Sequence, residues 1–215
     1  NKRVAVPFAD SIYANPSSSR FDPSRGKYLF RDKAVSPVMS YSELQFVKAE
    51  AAFKKAGGPD AISYQAYLNG INGHFDFINR ATYPRSNVPI YNTTTISAAE
   101  RTAYLASPNV KSGAATLTIT DIMLQKYIAL WGWGFNETWV DMRRYHYRDL
   151  DVATGLPVYK GFITPAALPA INGGKLATRI RPRYNSEYVW NLEELTRIGA
   201  IAIDYHVKEM WFSQQ

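Results

Sequence analysis

Few residues in this chain have the types and spacing that chemistry requires. The 215 residues include three histidines, His74, His146 and His206, and no cysteine. No two of the histidines stand at the H-x-x-x-H spacing that puts paired imidazoles on one helix face, so a histidine metal centre is not expected. Without cysteine, disulfides, thiolate nucleophiles and Cys-ligated metals are excluded. The sequence has no G-x-S-x-G elbow, no G-x-x-x-x-G-K-[ST] loop and no G-x-G-x-x-G fingerprint. Gly132-Trp133-Gly134 places a bulky ring where a phosphate loop needs open backbone, and a third glycine is missing. No cofactor is expected. Glu137 and Asp141 are four residues apart and share a helix face, which raises the question of a glycosidase pair. The plainer reading puts Glu137 in a first helical turn, where the helix dipole favours a carboxylate, and pairs Asp141 with Arg144 or with lysine-rich neighbours.

Aromatic side chains are plentiful by contrast: 14% of residues, with 15 Tyr, 10 Phe and 5 Trp. Such rings fill cores, and they also give the flat faces on which sugars stack. The net charge of +7 invites an anionic partner. Its distribution argues against nucleic acid, because the basic residues are scattered and no run of five like charges occurs. With 46% hydrophobic and 20% charged residues, the chain has the composition of a folded globular protein. No stretch reaches the roughly 18 apolar residues of a membrane-spanning helix. No charged-then-apolar leader precedes Asn1, so a leader is expected to have been removed or to lie upstream.

The elements that would position these residues read as helices. Residues 1–37 are rich in turn formers, such as Asn15-Pro16-Ser17 and Asp22-Pro23-Ser24, with a short strand expected between Gly26 and Asp32. Ser40-x-x-Glu43 has the form of a capping box, followed by an expected inward face of Leu44, Val47 and Ala51 with Phe46 and Phe53 nearby. Gly57-Gly58-Pro59 ends that helix. Asp60 or Ser63 then opens a second one, with the stripe Tyr64, Tyr67, Leu68, Ile71, Phe75 and Ile78. So short a link predicts an antiparallel helix pair. Ser97-x-x-Glu100 predicts a further cap. Thr120 is expected to start a helix with Ile122, Met123, Tyr127, Ile128 and Trp131 inward, and Asn136 to cap the next. Residues 148–184 read as loop, Asn191 to Glu194 as a capped turn, and the aromatic tail around Met210, Trp211 and Phe212 as docked on the body.

Two segments resemble a known family. Pro37-Val-Met-Ser-Tyr-Ser-Glu-Leu-Gln-Phe-Val-Lys-Ala-Glu-Ala-Ala-Phe53 is similar to the "P-x-M-T-Y-A-E-x-x-x-I-x-A-E-A" stretch of SusD/RagB proteins. Ile122-Met-Leu-Gln-Lys-Tyr-Ile-Ala-Leu-Trp-Gly-Trp-Gly-Phe-Asn-Glu-Thr-Trp-Val-Asp-Met-Arg-Arg144 resembles the family's "Q-K-x-I-A-L-x-x-x-G-x-E-x-W-x-D-x-R-R". Arg181 to Tyr188 looks like a later family segment, with Pro and Tyr displaced. Tyr145-His146-Tyr147 resembles the subgroup that carries Tyr-His-Tyr after the arginine pair.

The resemblance implies a mostly α fold: a SusD-like α/α superhelical body with tetratricopeptide-like helix pairs and long loops. It implies a binder rather than an enzyme, on the outer surface of the outer membrane of Bacteroidetes. There it would capture glycan or peptide for a SusC-like TonB-dependent transporter, with a lipid anchor not present in this chain. Family members are longer, so residues 1–215 are expected to be a C-terminal portion whose N-terminal half lies elsewhere. Its segments would be a loop-rich lead-in (1–37), a helical core (38–147) and a loop-rich end (148–215). Glu43, Glu50, Trp139, Asp141, Arg143 and Arg144 occupy motif positions and read as structural, with Arg143 a plausible partner of Asp141 or Glu50. Loop position singles out Tyr13, Arg20, Tyr28 and Tyr147 as ligand contacts, and Tyr145 and Tyr159 belong to the wider set of loop tyrosines. Two other functions stay open: a helical-repeat interaction module without a small ligand, and a hydrolase built on helices.

Overall fold

A computed structural model gives the structure of residues 37–81, 95–168, 170–182 and 184–214. Helix α1 (Tyr41–Ala56) begins where its cap predicts, with Ser40 Oγ accepting the Glu43 N–H at 3.0 Å. It ends at Gly57, which takes φ +70°, and the N–H groups of Gly57 and Gly58 return to the carbonyls of Lys54 and Phe53. Only glycine adopts that backbone without strain. Both candidate caps of α2 (Ala61–Ala81) are used. The Ser63 N–H donates to Asp60 Oδ1 at 2.6 Å, and the Asp60 N–H donates to Ser63 Oγ at 3.0 Å. The bond from the Ser63 backbone holds the Asp60 carboxyl below its ordinary pKa.

The two helices lie antiparallel at very close range. Ser42 Oγ donates to the Gly70 carbonyl at 2.7 Å. The Phe46 ring lies against Gly70 so tightly that a Cβ there would meet it at 2.8 Å. At Gly73 a Cβ would meet the Tyr41 ring at 2.7 Å. This contact reverses the expected face of α1. Ser42, Glu43, Gln45, Phe46, Ala49 and Glu50 are buried, whereas Leu44 is 49% exposed and Val47 and Ala51 also face outward. Small residues permit the close approach, and the approach chooses the face over apolar periodicity. In α2 the stripe is buried most deeply at Tyr67 and Ile71.

Helix α3 (Ala98–Leu105) has the full Ser97–Glu100 capping box. Arg101 ties it to α2 through Asn72 Oδ1 and Asp76 Oδ1, both at 2.8 Å. Helix α4 (Ile119–Leu130) starts one residue before the expected Thr120, because Thr118 and Asp121 form a capping box. It packs on α1 and α2 with Ile122 and Met123 fully buried. Its C-terminal half corrects the sequence reading: Tyr127 and Trp131 are each 43% exposed, and Ile128 is exposed too. Helix α5 (Phe135–Arg144) begins directly after Gly134, so Asn136 lies inside its first turn and is not its cap.

The chain divides into two compact units: residues 1–139 with 150–158, and residues 140–149 with 159–215. The expected strand at 26–32 and the lead-in turns lie outside the described residues. Among the described residues the nearest thing to a strand is one antiparallel bridge, Leu150 to Pro157. That bridge closes a turn which delivers Asp151 into the first unit. Asp151 is 1% exposed and accepts the Thr120 N–H at 2.9 Å and the Ala153 N–H at 3.0 Å. Burial pushes its carboxyl pKa up, but the hydrogen bonds of Thr120 and Ala153 outweigh this and hold it below the ordinary value.

In the second unit, α5 ends in a Schellman arrangement. The Tyr147 N–H returns to the Met142 carbonyl and the His146 N–H to the Arg143 carbonyl. His146 at φ +43° and Tyr147 at φ +61° therefore occupy left-handed backbone usually left to glycine, a cost of roughly 1–2 kcal/mol each. Their side chains hold them there. Tyr147 donates its hydroxyl to the Ala177 carbonyl at 2.5 Å and stacks on Phe162 at 5.3 Å. His146 contacts Asp149 Oδ2 at 2.9 Å and the Ser213 carbonyl at 2.8 Å. The described residues between 148 and 182 are mainly loop, as expected, with a short 3-10 turn at Ala170–Asn172. Helix α6 (Tyr184–Trp190) begins at the end of the expected loop, in a stretch for which the sequence predicts no element, and α7 (Leu192–Arg197) follows Asn191 as expected, though the Asn191 side chain does not cap it. The tail docks as expected, with Phe212 under the Arg143 guanidinium at 4.8 Å and Ser213 buried, while Trp211 stays 80% exposed.

Gly70→Ala would force a methyl into the Phe46 ring and is expected to lower stability by about 1–3 kcal/mol in urea unfolding with an unchanged m-value. Asp151→Ala strands a buried helix-end N–H and is expected to cost about 1–3 kcal/mol in the same measurement. His146 gives a pH test. The Asp149 contact raises its pKa above the ordinary value, against an opposing effect of burial and with further help from Ser213 and Glu209. Its stabilisation is complete below the unfolded value of about 6.5 and is lost as pH rises through the folded value. The Tm gap between the native protein and His146→Gln should therefore be larger at about pH 5.5 than at about pH 8.5. A gap independent of pH would refute this role, since backbone strain contributes equally at both.

Candidate glycan-binding surfaces

In the first unit, the exposed end of α4 and the C-terminal half of α2 form a recess of about 440 Å³. Tyr127 and Trp131 stand one helical turn apart on its rim, and Trp133 lines it. Trp133 is set by an edge-on contact with Phe77, the centroids 5.0 Å apart. Ile78, Ile96 and Ile128 supply aliphatic wall. His74 adds an imidazole to the lining and forms no hydrogen bond among the described residues. Burial pushes its pKa down to about 4, so the imidazole is neutral at physiological pH, with one donor and one acceptor nitrogen. Flat aromatic faces beside an uncharged hydrogen-bonding group are what a sugar ring needs. Sequence reasoning missed this recess. The Tyr127/Trp131 spacing was legible, but periodicity does not tell whether an apolar face is covered.

The second unit has an open cleft of about 520 Å³ of different character. Arg143 and Tyr147 reach it from the end of α5, and Arg148, Lys175, Lys208 and Glu209 border it. Arg143 is buried, donates to the Thr178 carbonyl at 3.0 Å and covers the Phe212 ring. Arg148 donates its Nε–H to Thr164 Oγ1 at 3.0 Å. Arg179 bridges to the carbonyls of Lys208 and Glu209 and fixes the opposite wall.

Of the residues singled out in the sequence, Tyr13, Arg20 and Tyr28 lie outside the described residues. Tyr147 is a buried wall of the second cleft. Tyr145 and Tyr159 meet edge-on at 6.2 Å inside the second unit and are core side chains. The motif residues Glu43, Glu50, Asp141 and Arg143 are all buried, and Trp139 and Arg144 are partly buried. Glu50 pairs with Lys54 at 3.0 Å and Asp141 with Arg144 at 3.3 Å. Glu137 is exposed while Asp141 is buried in its ion pair, so the two carboxylates have unlike surroundings. Among the described residues, no cluster of three or more His, Asp or Glu side chains has the arrangement to hold a metal ion.

Searches of curated proteins and of solved structures return no match. The family model SusD-like_2, described as starch-binding associating with outer membrane, matches residues 9–162. Its members bind carbohydrate and are not catalysts. The match covers well over half of the sequence and includes the first-unit recess, the buried motif carboxylates and the start of the second cleft. This chain therefore belongs to the SusD-like family of starch-binding proteins that associate with the outer membrane.

Proposed function

We propose that the protein captures oligosaccharide at the outer face of the outer membrane and delivers it to a SusC-like TonB-dependent transporter. It would work there as a surface-exposed lipoprotein in a Bacteroidetes cell, as one portion of a SusD-like domain. The family match carries this reading. The recess lined by His74, Tyr127, Trp131 and Trp133 supports it, because its chemistry suits an uncharged pyranose: rings to stack on and a neutral imidazole for a hydroxyl. Tyr147 in the second cleft, and Tyr13, Arg20 and Tyr28, are proposed as further ligand contacts. A binder needs affinity without transition-state chemistry, and a neutral His74 beside apolar walls supplies the first without a general acid–base pair for the second.

Calorimetric titration with maltooligosaccharides, together with an assay for their cleavage, tests the proposal. Binding without turnover is expected. Trp131→Ala should weaken it about tenfold, in line with the loss of one aromatic stacking face. Cleavage, or binding unchanged in both Trp131→Ala and Tyr127→Ala, would remove the recess from the account.

A further inference from the structure

We infer that the cleft of the second unit binds the carboxylate of an acidic sugar, a uronate residue within a glycan. This rests on reading the protein as a glycan binder, and it assigns to this cleft a ligand class different from the uncharged sugar of the first-unit recess. Four cations, Arg143, Arg148, Lys175 and Lys208, line the cleft against two carboxylates, Asp204 and Glu209. The carboxylates are already engaged, Asp204 lying 3.8 Å from Lys208 Nζ and Glu209 lying 3.9 Å from His146 Nε2. Arg148 and Lys175 thus line the cleft with no carboxylate partner among the described residues.

Arg148 is poised for the task. Thr164 takes its Nε–H, and the two terminal amino groups form no hydrogen bond among the described residues. A guanidinium edge so held matches the two oxygens of a carboxylate. Lys175 follows Gly173 and Gly174, which turn through φ +59° and +71°, and its exposed ammonium forms no ion pair among the described residues. Its length and flexible stem suit a second contact to the same charge. The Tyr147 ring, stacked on Phe162, forms a fixed wall. The cleft volume of about 520 Å³ accommodates sugar residues and falls in the range of small-ligand sites.

The test uses the full chain and two probes of equal length, an oligogalacturonate and a neutral maltooligosaccharide, titrated at low and high salt. The oligogalacturonate should bind, weaken with salt, and weaken about a hundredfold in Arg148→Gln/Lys175→Gln, since two charged hydrogen bonds are lost and each is worth roughly tenfold. Maltooligosaccharide binding should be unchanged in the same variant, and this shows that the variant is folded. If the neutral probe binds and the oligogalacturonate does not, or if the double variant binds both as before, the inference is overturned and the glycan reading stands. If a poly-glutamate peptide binds as tightly as the oligogalacturonate and competes with it, the cleft reads charge alone and the sugar assignment fails. If neither glycan binds, the glycan reading fails and the inference with it.

Discussion

The first unit depends on the approach of α1 to α2 at Gly70. A helix pair normally keeps its axes apart by the width of its side chains. Here the Phe46 ring occupies the space of a missing Cβ, and Ser42 bonds the Gly70 carbonyl directly. Once that contact is made, the rotation of α1 is set. Phe46 and Ala49 turn inward, Glu43 and Glu50 are carried into buried positions, and Leu44 and Val47 turn out. The buried carboxylates then require partners, which is why a charged motif can sit on a packed face: Glu50 has Lys54 beside it. Helix α4 completes the layer with Ile122 and Met123, and its far end projects Tyr127 and Trp131 beyond it.

A comparable economy governs the loop after α5. Asp151, carried on a turn closed by Leu150 and Pro157, caps the start of α4 and so joins a loop to the core by one buried carboxylate. In the second unit the end of α5 accepts two left-handed residues that are not glycine. The hydrogen bonds and ring contacts of His146 and Tyr147 offset that cost and bring the helix end, the 177–178 segment and the Ser213 carbonyl together. The cleft walls are thereby held by strained but well-tied backbone, the state in which a binding surface keeps its shape without a ligand.

The two surfaces divide ligand chemistry by electrostatics. The recess of the first unit is lined by rings, isoleucines and a histidine that burial keeps neutral. The cleft of the second is lined by cations that exceed the neighbouring carboxylates. A charge cluster of the second kind is invisible in a linear count, because Arg143, Lys175 and Lys208 are more than 30 residues apart in the sequence.

What the sequence determined by itself was local and compositional. Ser40, Asp60, Ser97 and Gly57 marked helix ends correctly, because a cap depends on a few neighbouring backbone groups. The two motifs pointed to the family, the resemblance implied the mostly α class, and the caps and 3.6-residue spacing agreed with it. Tertiary structure decided which faces those helices bury. The apolar stripe of α1 lost to Ser42, Phe46 and Ala49, because the close packing against Gly70 turns that face inward and leaves Leu44 at the surface. Tyr127 and Trp131 lay on an apolar face that nothing in the spacing could show to be left open. Asp151 and the cation cluster draw on residues distant in sequence, and only the folded chain brings such groups to one place.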